Sequence, residues 1–180
     1  RKGGLNFFGE ERYQVGFDTR FNLFSHDWLL YAEGTDTYAL CKDGNNGDGT
    51  STIGDCYYEH HIYKTGMHYK GRTIGSLYDN DATTLVLGLV SQENSNTNFE
   101  FKLRWLQLNK DNHDRAPDNP LIGNTLTPIA ENMLMISGKA QYSYKNWRYT
   151  IGTRLSESTY DNDINKKNEI NVFLNVEYNL

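Results

Sequence analysis

The segment "RYQVGFDTRFNLF", residues 12–24, alternates strictly between two kinds of side chain. One face of an extended chain would carry Tyr13, Val15, Phe17, Thr19, Phe21 and Leu23, and the other would carry Arg12, Gln14, Gly16, Asp18, Arg20 and Asn22. Successive side chains of a β-strand point to opposite faces, so the pattern predicts one strand of about twelve residues. Such a strand, tilted by about 40°, rises roughly 30 Å and covers the apolar band of about 25 Å in an outer-membrane barrel.

Six further segments complete a predicted set of seven strands. They cover residues 28–38, 83–91, 98–105, 134–144, 147–155 and 170–180. The connections alternate between short (25–27, 92–97, 145–146) and long (39–82, 110–131, 157–167). All short turns then lie at one end and all long loops at the other, which is the plan of an outer-membrane β-barrel. A soluble β-sandwich is the alternative, but it favours shorter strands and mixed loop lengths.

Two further patterns support the barrel. Aromatic residues fall toward the strand ends, as an interfacial girdle requires; they are Tyr13, Trp105, Tyr142, Tyr144, Trp147, Tyr149 and Tyr178. The polar faces carry the cations Arg20, Lys102, Arg104 and Arg154. A cation on the lipid face costs about 2–4 kcal/mol at the membrane midplane, so the polar faces are expected to line a wet interior.

The predicted fold class is therefore all-β, an antiparallel up-and-down transmembrane β-barrel. Seven strands are an odd number, whereas single-chain bacterial barrels have even numbers. We expect residues 1–180 to be the C-terminal part of one larger barrel domain, with upstream strands absent. The alternating final strand, with Tyr178 third from the end, is typical of a closing strand. The C-terminus is then periplasmic with the short turns, and the long loops are extracellular.

Composition excludes several classes of protein. The net charge of −5 argues against nucleic-acid binding, which needs a basic face. No run approaches the roughly 18 apolar residues of a membrane helix. Cys41 and Cys56 flank the loop "KDGNNGDGTSTIGD", which favours a disulfide and an oxidising compartment over two unpaired thiols. Zinc sites usually place paired cysteines closer together.

Neither a metal site nor a catalytic site is predicted. His60 and His61 are adjacent, so on a strand they point to opposite faces and chelate one ion poorly, even with His68 nearby. Clustered Asp and Asn residues do not fit the spacing of a calcium-binding EF-hand and are ordinary turn residues. His113, Ser137 and Ser143 could serve a hydrolase, but none lies in a recognisable motif. The sequence predicts no enzyme and no cofactor.

Several segments resemble one known family, the capsule assembly protein Wzi family. The resemblance rests on "YAEG" (31–34), "HHIYK" (60–64) with Gly66, Gly71 and Gly75, the turn at Asp79 and Asp81 with the strand after it, and "VGFDTRF" (15–21). It implies an outer-membrane β-barrel lectin, preceded by a helical region absent here. It further implies that the protein binds capsular or extracellular polysaccharide and helps to attach or assemble the capsule at the cell surface.

The residues between 57 and 72 are the candidate ligand site. Aromatic faces pack beneath sugar CH groups, and cations suit an acidic polymer; the candidates are Tyr57, Tyr58, His60, His61, Tyr63, Lys64, Tyr69, Lys70 and Arg72. The alternative is a lumen plug in which the tyrosines only pack. For the whole protein, the alternative function is a porin-like diffusion channel. Expected partners are polysaccharide and outer-membrane lipid, with a monomeric protein.

Overall fold

The structure, a computed structural model, describes residues 13–24, 26–38, 68–69, 72–73, 76–78, 81–91, 96–112, 126–161 and 166–179. Seven long strands form one antiparallel sheet in the order β1-β2-β5-β6-β7-β8-β9. They are β1 (Tyr13–Leu23), β2 (His26–Asp36), β5 (Ala82–Ser91), β6 (Thr97–Leu108), β7 (Glu131–Tyr144), β8 (Trp147–Tyr160) and β9 (Lys167–Tyr178). A hairpin of β3 (His68–Tyr69) and β4 (Arg72–Thr73) lies within the connection between β2 and β5.

The sheet is a meander in which each long strand pairs with the next one along the chain. All seven predicted strands are therefore confirmed, as is the alternation of short and long connections. We call the two ends of the sheet the short-turn end and the long-loop end. Within the described residues β1 and β9 are the two edges of the sheet and do not pair with each other.

Strand register separates the sheet into an apolar face and a polar face. Paired residues share a face, and the pairs Phe17↔Ala32, Leu87↔Leu103 and Ile151↔Leu174 all fall on the apolar one. Most of the exposed large hydrophobic side chains in the described residues lie there too, the exceptions being Phe24, Leu77, Leu126 and Phe173. An apolar surface that extends over seven strands needs a nonaqueous partner. The predicted division of the strands into an apolar face and a polar face is confirmed.

Aromatic side chains cluster on the apolar face at the short-turn end. Trp28 stacks on Phe99 with ring centroids 6.2 Å apart, and Trp147 packs against Tyr178 at 4.8 Å. The indole Nε1 of Trp28 donates a hydrogen bond of 3.0 Å to the Leu23 carbonyl oxygen. Tyr142, Tyr144 and Tyr149 extend the same row. Trp105 lies toward the opposite end, so both ends of the apolar face carry aromatic residues.

Strands β6 to β9 extend further at the long-loop end than the sequence predicts, whereas β2 ends at Asp36 and not at the predicted residue 38. β6 continues to Leu108, β8 to Tyr160, and β9 begins at Lys167. In these extensions the apolar face carries polar residues such as Gln107, Asn132 and Glu157. Backbone pairing continues there although the apolar alternation has ended. At the short-turn end β2 begins at His26, because Leu23 pairs with His26 and Asn22 bonds to Asp27 at 2.9 Å.

Two aromatic rings on the polar face lie against glycines of the neighbouring strand. A Cβ atom added to Gly88 would lie 2.2 Å from the Tyr31 ring, and one added to Gly152 would lie 2.4 Å from the Phe173 ring. The Gly138 carbonyl oxygen would also be 3.2 Å from a Cβ at position 152. Each glycine therefore leaves the space that a ring occupies.

Substituting Gly152→Ala is expected to reduce the free energy of unfolding by about 1 kcal/mol, because the half-exposed Phe173 ring must rotate away and the Gly138 carbonyl oxygen must give way slightly. Gly34→Ala is the matched control, since its Cβ would meet its nearest atom, the Thr84 carbonyl oxygen, at 3.8 Å. Urea-induced unfolding of the two refolded variants measures the difference. Equal stability of both variants would show that the Phe173 ring does not require a glycine beneath it.

Candidate functional site

The polar face carries a row of ionised side chains that crosses several strands. Glu100 on β6 pairs with Lys102 on its own strand and with Lys139 on β7, the second contact measuring 2.6 Å. Arg148 on β8 approaches Glu177 on β9 at 3.4 Å, and Arg104 Nη1 lies 3.3 Å from Met135 Sδ. The Lys139 side chain is 42 % exposed and that of Arg148 is 38 % exposed. This face therefore offers cationic donors to anything that occupies the space in front of it.

At the long-loop end, the side of the sheet that is polar elsewhere carries an apolar cluster. Ala82, Leu106 and Leu108 are buried, and Tyr78 and Met133 pack against them. Tyr78 belongs to the connection between β2 and β5, just before β5 begins. The end of this connection therefore folds back over the polar face.

Asp81 ties the bases of the first and second long connections together. The residue is 1 % exposed, and its Oδ2 accepts a hydrogen bond of 3.0 Å from the Asp111 amide. Its own amide donates to the Thr37 carbonyl oxygen at 3.3 Å, and its carbonyl oxygen accepts from the Lys110 amide at 3.3 Å. Its backbone has φ 54°, a left-handed conformation that Asp tolerates better than most residues.

The hydrogen bonds at the long-loop end also reach the third long connection. Asn109 donates from Nδ2 to the Thr127 carbonyl oxygen at 3.1 Å, and Asn112 Oδ1 accepts from the Ala130 amide at 2.8 Å. The Ala130 carbonyl oxygen then accepts from the Asp161 amide at 3.1 Å. All three long connections thus start from a fixed frame, which we call the rim.

The predicted ligand residues lie in the first of these connections. Tyr69 and Arg72 are paired across the β3–β4 hairpin, whose register also pairs His68 with Thr73. The other seven, Tyr57, Tyr58, His60, His61, Tyr63, Lys64 and Lys70, lie outside the described residues, as do Cys41 and Cys56. The hairpin itself was not predicted, since two residues per strand are too few to show a period.

The residues considered for other chemistry are separated. Ser137 and Ser143 both lie on the polar face of β7, while His113 is outside the described residues. Across the part of the chain that the structure describes, no three His, Cys, Asp or Glu side chains are grouped so as to hold a metal ion. Among these same residues, no helix is long and apolar enough to cross a membrane.

An antiparallel meander with one apolar face, one charged face and an aromatic row at the short turns has the architecture of a β-barrel wall. The family model for the capsule assembly protein Wzi matches residues 9–172, and the chain belongs to this family. No curated protein matches the chain at a significant level.

A solved structure supports the same fold. It is that of Wzi from Escherichia coli, described as an outer-membrane protein involved in group 1 capsule assembly and as a carbohydrate-binding β-barrel. The TM-score is 0.66 at 16 % sequence identity, and the match covers 96 % of this chain and 34 % of that one. The chain thus spans about a third of the length of the solved protein.

Proposed function

We propose that this chain belongs to an outer-membrane lectin that binds capsular or extracellular polysaccharide and holds it at the cell surface. The observation that carries the proposal is the family match over residues 9–172. The two faces of the sheet support it, because the apolar face suits lipid and the charged face suits a wet interior. The protein acts by binding, without catalysis or a cofactor.

The proposed protein is a closed barrel of which this chain supplies one part. Two open sheet edges, at β1 and β9, support this, because unpaired strand edges are a liability that barrels remove by closure. Upstream strands would join these two edges within a single, monomeric barrel domain. The short-turn end would be periplasmic and the long-loop end extracellular, following the usual arrangement of such barrels.

The proposed ligand surface is the connection between β2 and β5, built on the rim. The rim gives this connection a fixed base at Thr37 and Asp81, and Tyr78 packs it over the polar face. Tyrosines and cations between residues 57 and 72 would contact the sugar chain, with Cys41 and Cys56 proposed to form a disulfide before them. Because the connection covers part of the polar face, we propose that the lumen of the barrel is plugged.

A gene deletion tests the function in cells. Loss of the intact protein is expected to move surface polysaccharide from the cell-attached fraction to the medium, with the total amount unchanged. Restoring the gene should restore attachment. An unchanged attached fraction in the deletion strain would contradict the proposal.

The porin-like alternative is tested by conductance. The purified intact protein, reconstituted in planar lipid bilayers, is expected to give no stable open channels because a plugged lumen does not conduct. Long-lived open channels of uniform size would favour the diffusion channel instead.

The double substitution Tyr63→Ala with Arg72→Ala is expected to weaken polysaccharide binding by about tenfold or more, since it removes one stacking surface and one cation. Leu77→Ala in the same connection is the control, because Leu77 is 87 % exposed and is not among the proposed contacts. Surface plasmon resonance with the immobilised protein compares the three forms. If the double variant binds like Leu77→Ala, these two residues are not ligand contacts.

A further inference from the structure

A small pocket lies at the long-loop end of the sheet, where β6 and β8 end and β7 begins. The pocket has a volume of about 220 Å³. Its lining comes from the ends of these strands and from residues just beyond them, among them Gln107, Leu108, Lys110, Glu131, Asn132 and Asp161. We call it the rim pocket. Because it is smaller than the roughly 300 Å³ at which drug-sized sites begin, it suits one small polar unit.

The rim pocket lies just beyond the apolar residues of the wall. Trp105 and Leu134 are paired on the apolar face, and the next pair on that face toward the long-loop end is Gln107 with Asn132. The apolar surface therefore ends one pair before the pocket begins. In the proposed orientation this end is extracellular, so the pocket lies beyond the lipid and on the side of the membrane where polysaccharide is found.

Three polar groups of the rim pocket are available to a ligand. Asn132 Oδ1 accepts a hydrogen bond of 3.1 Å from Gln107 Nε2, which leaves Asn132 Nδ2 as a donor and Gln107 Oε1 as an acceptor. The third group is the Asp161 carboxylate, which takes part in no hydrogen bond or ion pair among the residues that the structure describes. Asn132 and Asp161 are both exposed to solvent. Accessible donors and acceptors thus surround a space that fits one ligand unit.

The charges of the rim pocket favour a neutral ligand over an anionic one. Lys110 is a cation in the lining, but its Nζ donates to Thr83 Oγ1 at 2.8 Å and lies 4.7 Å from the centre of the Tyr38 ring. Glu131 and Asp161 contribute two carboxylates to the same lining. A carboxylate or phosphate in the pocket would meet this excess of negative charge, whereas the hydroxyls of a neutral sugar would not.

We propose that the rim pocket binds a neutral pyranose unit, carried either by the surface polysaccharide or by the headgroup of an outer-leaflet glycolipid. The Asp161 carboxylate accepts a hydrogen bond from one sugar hydroxyl, and Asn132 Nδ2 donates to the oxygen of another. Gln107 Oε1 accepts from a further hydroxyl. The choice of a sugar rests on the proposed polysaccharide-binding function, but the pocket is separate from the residues between 57 and 72.

The test measures binding of four probes to the intact protein by saturation-transfer difference NMR, in a detergent without a sugar headgroup. The probes are methyl β-D-glucoside, methyl β-D-galactoside and the uronic acid counterpart of each. At least one neutral glycoside is expected to bind with a dissociation constant of about 1–10 mM, as suits a ligand of this size. Its uronic acid counterpart should bind at least about threefold more weakly, because of the two carboxylates. Absence of binding by both neutral glycosides, or equal binding of the uronic acid, would overturn the proposal.

Three substitutions locate the site. Asn132→Ala and Asp161→Ala are each expected to weaken binding of the neutral glycoside by about fivefold or more. Asn168→Ala is the matched control and should change binding less than about twofold, since Asn168 lies exposed on the same face near the same end but does not line the pocket. Equal effects of Asn132→Ala and Asn168→Ala would contradict the proposal. If Asn132→Ala does not fold, Asp161→Ala decides alone, and unchanged binding by it would overturn the site.

A fourth substitution tests the basis of the specificity. Asp161→Asn keeps an oxygen acceptor but removes the charge, so the uronic acid is expected to bind this variant within about twofold of the neutral glycoside. The same NMR titration measures both probes. If Asp161→Asn discriminated against the uronic acid as strongly as the wild type, the Asp161 carboxylate would not be the source of the preference for a neutral sugar.

Competition identifies the source of the sugar and separates two failures. Displacement of the bound glycoside by soluble surface polysaccharide would assign the rim pocket to the polymer, and displacement by purified lipopolysaccharide would assign it to the glycolipid; displacement by neither would overturn the proposal. If the polysaccharide binds the protein but neither neutral glycoside does, the rim pocket is not a sugar site while the proposed function stands. Glycoside binding that Asn132→Ala weakens, with no binding of polysaccharide, would retain the pocket and remove the proposed function.

Discussion

Replacing Leu174 with Arg is expected to reduce the free energy of unfolding in lipid by about 2–4 kcal/mol, the cost of a cation on the lipid face of a barrel near the midplane. Leu174 is 72 % exposed on the apolar face and pairs with Ile151, with Val172 and Val176 on either side along β9. If lipid covers this face, as proposed, an Arg at this position would meet neither water nor an anionic partner. Urea-induced unfolding of the intact protein in lipid vesicles measures the loss.

The adjacent residue provides the control for this substitution. Asn175 lies on the polar face, where its Nδ2 donates to Glu177 Oε1 at 2.7 Å. An Arg at position 175 would lie beside that carboxylate in a wet interior, so Asn175→Arg is expected to cost less than about 1 kcal/mol. Equal losses from the two variants would mean that the apolar face does not lie against lipid.

Replacing Asp81 with Ala is expected to reduce the free energy of unfolding by about 2–4 kcal/mol. The substitution removes the buried acceptor of the Asp111 amide, which costs about 1–3 kcal/mol, and places Ala in a left-handed backbone conformation, which costs about 1 kcal/mol more. The loss should be accompanied by weaker polysaccharide binding, because Asp81 joins the bases of the first two long connections.

Asp81→Asn is the control for the rim, because Asn tolerates the left-handed conformation and keeps an oxygen acceptor. It is expected to lie within about 1 kcal/mol of the wild-type free energy of unfolding, with polysaccharide binding retained. Unfolding in urea and polysaccharide titration, carried out on both variants, compare the effects. If Asp81→Ala were as stable as Asp81→Asn, the hydrogen bonds at Asp81 would not hold the rim together.

The sequence predicted the sheet well because its strongest signal is the alternation of apolar and polar side chains. All seven long strands, their order of connection and the two faces follow from that alternation. The alternation was less informative where strands continue beyond the apolar residues, as at Gln107 and Glu157, because both faces of the sheet carry polar residues there. The position of the Phe173 ring was also not predicted, because only strand register places this apolar residue of the polar face against Gly152.

The candidate sites were harder to predict than the fold. The ion pairs of the polar face, such as Glu100 with Lys139 and Arg148 with Glu177, join residues that lie far apart in the chain and meet only through strand register. The rim likewise depends on Asp81 and Asn109, whose side chains look like ordinary turn residues in sequence. Of the ligand residues proposed from sequence, only Tyr69 and Arg72 are placed, opposite each other in the β3–β4 hairpin.

The most direct test of the central claim is equilibrium binding of purified cell-surface polysaccharide, from the same strain, to the intact protein in lipid nanodiscs. Saturable binding that is absent from empty nanodiscs is the predicted result, and it should survive Leu77→Ala but weaken in Tyr63→Ala with Arg72→Ala. No saturable binding by the correctly folded wild-type protein would contradict the proposed polysaccharide-binding function, whether the lumen is open or plugged.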